Sequence, residues 1–466
     1  MSAHPPVNPA HLQNLVVNGF DTHNTRYFLL HIADTQAGAA RQFLRTLLDQ
    51  GWVVNADNSR NQANALLQHQ RCPVGIGFTF AGLQAMGLPT HYQRLFQSRA
   101  TAFAEGAAPR ASHRLADTGP SAVAEWEPAF QARAAHLFLT LHADDPAVLD
   151  QCTTTLRTMA GPAFAPEGWA QPFDGAHLGH NKKSRREHFG FLDGITNPLI
   201  DGVHRHTPGH AELKVGQKLL PPGEFLLGYG NSDGYNRWLI ASEDAEVRQF
   251  FADGSFSAFR KMEQNTEAFN TFVQSQTSSA LPEETVRAKL LGRWHDGQVI
   301  TPTQATPPTG PKPSTRAGLN DFDFSADPQG QGCPFGAHIR RMNPREDPVV
   351  PVRKRPLIRR GIPYTSPDER GLLGLFFCAS LEDQFEHLLA EWGNKNPFGV
   401  PNPSSAKDPI VGNHEGSGGV FDIPSATGPN PQLCGFKPFV KTKGTLYSFF
   451  PSLPSLDVLA RGIYEK

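Results

Sequence analysis

Gly332-Cys333-Pro334-Phe335-Gly336-Ala337-His338-Ile339-Arg340-Arg341-Met342-Asn343-Pro344-Arg345, leading into Ile358-Arg359-Arg360-Gly361-Ile362-Pro363-Tyr364, is the stretch from which the rest of the chain is read. It sets one imidazole among small and apolar neighbours, with an arginine twenty-one positions further on. Such an imidazole suits an axial ligand of haem iron, and guanidinium groups suit carboxylates or a developing oxyanion. Taken alone, the pattern fits a hydrogen-bonded structural histidine at least as well.

Upstream lies Glu187-His188-Phe189-Gly190-Phe191-Leu192-Asp193-Gly194-Ile195-Thr196-Asn197-Pro198. Asp193 stands between an apolar run and a glycine, where burial would favour its neutral form and let it exchange protons near neutral pH. Asp-Gly is also a good turn, and by itself the segment reads equally as a loop corner.

Together the two stretches resemble the dye-decolourising peroxidase family. Gly190-Phe191-Leu192-Asp193-Gly194 matches its Gly-x-x-Asp-Gly motif and Ala337-His338-Ile339-Arg340 its proximal segment, while Arg359 precedes Pro363 at the family's offset. The likeness continues through Gly77–Leu83, Phe256–Met262, Leu290–Trp294 and Asn320–Phe322, and so covers the chain from about Asn14 onward.

The resemblance implies an α+β fold of the dimeric α+β barrel superfamily, made of two ferredoxin-like halves, each a four-stranded antiparallel sheet with packed helices. Residues 1–185 would form the N-terminal half, and residues 186–466 a haem-binding C-terminal half with the insertions of a longer branch. It further implies one haem b (iron protoporphyrin IX) per chain, with His338 as iron ligand and Asp408 on the other imidazole nitrogen. Arg340 and Arg359 would be further cofactor contacts. Asp408 also reads as a turn residue before Pro409. Asp193 and Arg359 become the catalytic pair of a peroxidase that reduces hydrogen peroxide through a ferryl intermediate and oxidises dyes, phenols and other aromatic donors one electron at a time. The alternative on the same fold is haem storage, transport or iron release, which needs neither Asp193 nor Arg359. A zinc site at Cys333 and His338 lacks a second ligand pair. Gly374 stands where the family often has a bulky aromatic and Gly361 where some members have asparagine, implying a roomier or differently lined pocket, filled by Phe376 or Leu372.

Composition sets outer bounds. A formal charge of −1 gives no reason to expect nucleic acid or a membrane surface, and no apolar run approaches the roughly 18 residues of a membrane span. Five widely spaced cysteines without Cys-x-x-Cys argue for a reducing compartment and against a disulfide framework. With no leader pattern at the start, cytoplasm is the expectation. Homo-oligomerisation and enclosure in a larger shell stay open. The 32 phenylalanines suit an apolar cofactor cavity, and equally an ordinary core.

Local patterns repeat. Tyr27–Ile32, His136–Leu141 and Leu372–Phe377 each read as a buried strand followed by a helix, capped by Asp34 or Thr35, by Asp144 and by Ser380 respectively. Thr445–Phe450 is a fourth strand candidate, leading into a helix at Leu456–Ala460. Gly161–Lys183, rich in Gly, Pro and Ala, reads as the linker between halves.

Overall fold

A computed structural model describes residues 6–131, 135–179, 184–204, 219–238, 244–302, 306–308, 316–349, 354–395, 407–416 and 419–462. Apolar side chains bury Asn24–Leu30 (β1), Val74–Phe78 (β2) and Leu137–Ala143 (β3) almost throughout, and the short Phe173–Ala176 (β4) completes an antiparallel sheet of order β4-β1-β3-β2. Two helices cover it. Ala37–Asp49 (α1) buries Ala40, Phe43, Leu44 and Leu47, one stripe at helical spacing, and Pro146–Ala160 (α2) buries Leu149, Cys152, Leu156 and Ala160.

Two of the three caps shift by one residue from their expected places. Thr35 adopts a φ of 63°, so Gln36 opens α1. Asp145 accepts the Ala147 N–H (2.8 Å) at the start of α2, while Asp144 instead accepts from the His23 N–H. Ser380 caps as expected, accepting from the Asp383 N–H.

The second half repeats the order. Ser255–Gln264 (β5), Ile358–Arg359 (β6), Ile362–Thr365 (β7), Arg370–Cys378 (β8) and Val440–Phe450 (β9) run β9-β5-β8, with both β6 and β7 on β8. Thr266–Gln276 (α3) and Glu283–Leu291 (α4) follow β5, His338–Met342 (α5) precedes β6, wide π-type turns at Leu381–Gly393 follow β8, and Leu453–Arg461 (α6) follows β9. These are the two ferredoxin-like halves expected of the dimeric α+β barrel.

The halves meet edge to edge. β9 pairs with β2 at Phe449–Phe78, and at the far edges β4 comes against β7. Gly175 makes that second approach feasible, since a Cβ there would lie 2.5 Å from Ile362 Cγ2. Gly175→Leu is therefore expected to cost about 1–3 kcal/mol through overpacking, read as a lower urea midpoint at unchanged m-value. Inside the barrel the Phe259 ring stacks on Phe138 at 4.9 Å and meets Tyr27 at 5.3 Å. Most of the phenylalanines serve this core.

Gly161–Lys183 is not a plain linker. It contains the helical turn Pro166–Ala170 and all of β4; the remainder, from His180, lies outside the described residues. No helix among the described residues is long and apolar enough to cross a membrane.

Candidate functional site

A cavity of about 750 Å³ opens between the second-half sheet, the segment before α5 and the first-half edge. His338 begins α5 and faces it. Its Nδ1 is 2.9 Å from Asp408 Oδ2, leaving Nε2 as the nitrogen available to a ligand. Asp408 is fully buried, and its other oxygen accepts the Ile410 and Val411 N–H groups at 2.8 and 3.0 Å. Burial pushes the Asp408 carboxyl up, but the neighbouring His338, Arg341 and the Val411 N–H outweigh it and hold the carboxyl below its ordinary value. An ionised Asp408 fixes the proton on Nδ1 and makes Nε2 more basic.

Asp193 and Arg359 line the same cavity. Asp193 Oδ1 accepts the Gly194 N–H (2.6 Å), and its own N–H donates to the Arg185 carbonyl. Arg359 is clasped by the loop after Asp193: its N–H donates to Asn197 Oδ1 (2.9 Å) and its Nη2 to the Thr196 carbonyl (2.8 Å). It is enclosed by protein yet exposes side-chain surface toward the cavity. Burial lowers its pKa and the charge on Asp193 partly offsets this, so the two groups sense each other without forming an ion pair.

Arg340, expected beside the cofactor, stands elsewhere. Its Nε donates to Asp347 (2.6 Å), Nη1 to the Cys333 carbonyl (2.7 Å) and Asp327, and Nη2 to the Asp327 carbonyl. Its guanidinium is held between the rings of Phe324 and Phe335. Two positions along a helix is a rotation of about 200°, so His338 and Arg340 cannot share a face. Arg340 braces the turn that delivers His338.

The cationic wall comes from Arg293 and Arg345. Both bond Asn320 Oδ1, at 3.1 and 2.9 Å, and flank the Phe322 ring, while Thr196 Oγ1 donates to the same oxygen. Arg293 is pushed down to about 9 by burial and then by Arg345, and Arg345 to about 10 by burial and then by Arg359. Among the described residues none of Arg293, Arg345 or Arg359 has a carboxylate ion partner. Enclosed guanidiniums without counter-charge are costly, which suits a cavity made to receive an anionic ligand. An imidazole ligand, an apolar wall and unmatched cations fit haem, whose iron and two propionates supply what is missing.

The glycines at the cavity wall behave differently. A Cβ on Gly374 would lie 2.7 Å from the Phe376 ring, so Phe376 fills that space, and Leu372, Gly374 and Phe376 alternate onto the wall. Beside Gly361 nothing lies within 4 Å, and the cavity is open there. Of the described residues no group of three His, Cys, Asp or Glu could hold a metal ion, which leaves the zinc reading without a site. Among the described Trp and Tyr residues only Tyr235 is markedly exposed, at 60%.

The sequence model of the DyP dimeric alpha+beta barrel domain matches residues 12–166. Dye-decolorizing peroxidase msp1 of Mycetinis scorodonius is 29% identical over 87% of this chain and 79% of its own length. Multifunctional dye peroxidase DyP2 of an Amycolatopsis species is 28% identical over 93% and 92%. Among solved structures, a dye-decolorizing peroxidase in complex with 2,6-dimethoxyphenol superposes with a TM-score of 0.78 at 25% identity, covering 97% of this chain and 100% of that one. An ancestral D-type dye decolorizing peroxidase gives 0.77 at 26%, covering 97% and 99%. With the twice-repeated sheet order and the cavity that joins His338, Asp193 and Arg359, the chain is thus similar along nearly its whole length to dye-decolorizing peroxidases, and its first part matches their dimeric alpha+beta barrel domain.

Proposed function

We propose that the chain is a haem peroxidase that reduces hydrogen peroxide and oxidises dyes and phenols. The observation that carries this is one cavity presenting both an imidazole backed by a buried carboxylate and a carboxylate–guanidinium pair that do not touch each other. Haem b, one per chain, would be held by His338 Nε2 on its iron, with Arg293 and Arg345 offsetting its propionates. When bound it supplies the redox chemistry, accepting two oxidising equivalents from peroxide and spending them singly on donors.

The chain's own residues do the rest. Asp408 keeps the His338 proton on Nδ1 and pins the ring orientation. Asp193 takes a proton from one peroxide oxygen and delivers it to the other, which leaves as water. Arg359 holds peroxide in place and offsets the negative charge that develops as the oxygens separate. The Thr196 carbonyl keeps that guanidinium from swinging away, and Asn197 fixes the Arg359 backbone behind it.

The test is reconstitution with haem followed by peroxide and a dye: a Soret band with peroxide-dependent bleaching supports the reading, and a Soret band with negligible turnover overturns it. Asp408→Asn, which leaves a weaker acceptor on Nδ1, is expected to reduce haem affinity about 10–100-fold, measured by competition with apomyoglobin.

A further inference from the structure

Five cysteines spread along the chain show no pattern, yet the fold brings two of them together. Cys72 lies just before β2 and Cys152 within α2, eighty positions apart, and both are essentially inaccessible to solvent. Each sulfur reaches across to the other's segment: Cys72 Sγ is 3.7 Å from the Val148 carbonyl, and Cys152 Sγ is 3.6 Å from the Gln70 carbonyl. The two thiols are close enough for each to perturb the other's ionisation. Cys333 and Cys378 are buried at other places in the fold and Cys434 is exposed.

We infer that Cys72 and Cys152 are a disulfide-forming site that staples the entry of β2 to helix α2. Each sulfur already lies against the other's segment, so closing the S–S bond to about 2.05 Å asks for side-chain movement rather than a rearranged fold. Each perturbs the other: Cys152 and burial hold the Cys72 thiol above its usual range, and the Cys152 thiol is lowered. The cross-link forms when the thiolate of one, such as Cys152, meets an oxidant and the other sulfur attacks it in the second step.

Access comes through the turn above. Gln70, whose carbonyl faces the Cys152 sulfur, is solvent-exposed and carries a φ of 54°, a backbone conformation that residues other than glycine rarely adopt. Local opening of that turn uncovers the thiols without unfolding the barrel.

The step balances with any small two-electron thiol oxidant. With diamide, the Cys152 thiolate adds to the N=N bond and the nitrogens take up a proton. Cys72 then displaces the hydrazine from the Cys152 sulfur. Two S–H bonds are lost, one S–S bond forms, and N=N becomes HN–NH.

The experiment uses the full haem-loaded protein in a Cys434→Ser background, which removes the exposed thiol that would link molecules. Diamide treatment is expected to lower the intact mass by 2 Da. A non-reducing peptide map should join the segments carrying Cys72 and Cys152. The unfolding midpoint should rise by about 4–5 °C, reversed by dithiothreitol and absent from Cys72→Ala and Cys152→Ala alike. An unchanged mass, added oxygen on either sulfur, or a link through Cys333 or Cys378 would overturn the assignment. Because Cys72→Ala could weaken the core, Cys72→Ser is run beside it, and it too should lack the cross-link.

Discussion

Replacing His338 by alanine should abolish the Soret band of the reconstituted protein and, with it, peroxide-dependent dye oxidation. His338 carries a carboxylate on Nδ1, and Nε2 is the nitrogen that would take the iron of the proposed haem. Loss of an iron ligand should exceed the roughly 10–100-fold penalty that losing a supporting partner carries. The substitution also strands Asp408, a fully buried carboxylate whose low pKa depends on His338, so the variant should be less stable toward urea as well. Free imidazole offers a control that separates ligation from folding. Added at millimolar concentration to a cavity with its ring removed, it should restore part of the Soret band. A His338→Ala protein that retained the parent spectrum would refute iron ligation by this residue.

Arg359→Leu should do the reverse, keeping the Soret band and losing the reaction with peroxide. Removing a preorganised donor from a site of developing negative charge typically costs about 100–1,000-fold in rate. Stopped-flow mixing with peroxide should show a loss of that size in the second-order rate constant. Asp193→Asn should also slow the reaction, but with a distinct signature. The amide cannot relay a proton, so the rate should recover with pH as peroxide itself ionises, whereas Arg359→Leu should remain slow throughout. A chain that only carried haem would tolerate both changes. Unaltered peroxide kinetics in Arg359→Leu would move this protein from catalysis to haem handling.

Much of the fold was legible because apolar runs of strand length mark β1, β3, β8 and β9, each followed by a helical stripe. β4 was not. Its four residues alternate between buried and exposed among glycines and prolines, too short for periodicity to register. At the site, Asp193, His338 and Arg359 could be singled out by local chemistry and resemblance, but their convergence on one cavity is a property of the folded sheet. Arg340 was misplaced because nearness along a helix is not nearness in space. Arg345, five residues further, reaches the cavity instead, together with Arg293 from another element. Nothing in one dimension pairs Cys72 with Cys152, since the 79 intervening residues carry no signal of where the chain returns.

The position of β9 has a consequence for how the protein is made. It is the last strand among the described residues, yet it sits between β2 and β5 in the middle of the sheet. A nascent chain on the ribosome therefore holds two incomplete sheets with open edges until residues 440–450 emerge. Only then can β2 and β5 be bridged and the cavity walls close together. Such non-local pairing is slow, and the waiting edges are templates for association. The cavity is thus completed only once that last segment has been made. Any truncation that removes β9 should yield aggregates rather than an apo-protein, even though every residue named in the chemistry would still be present.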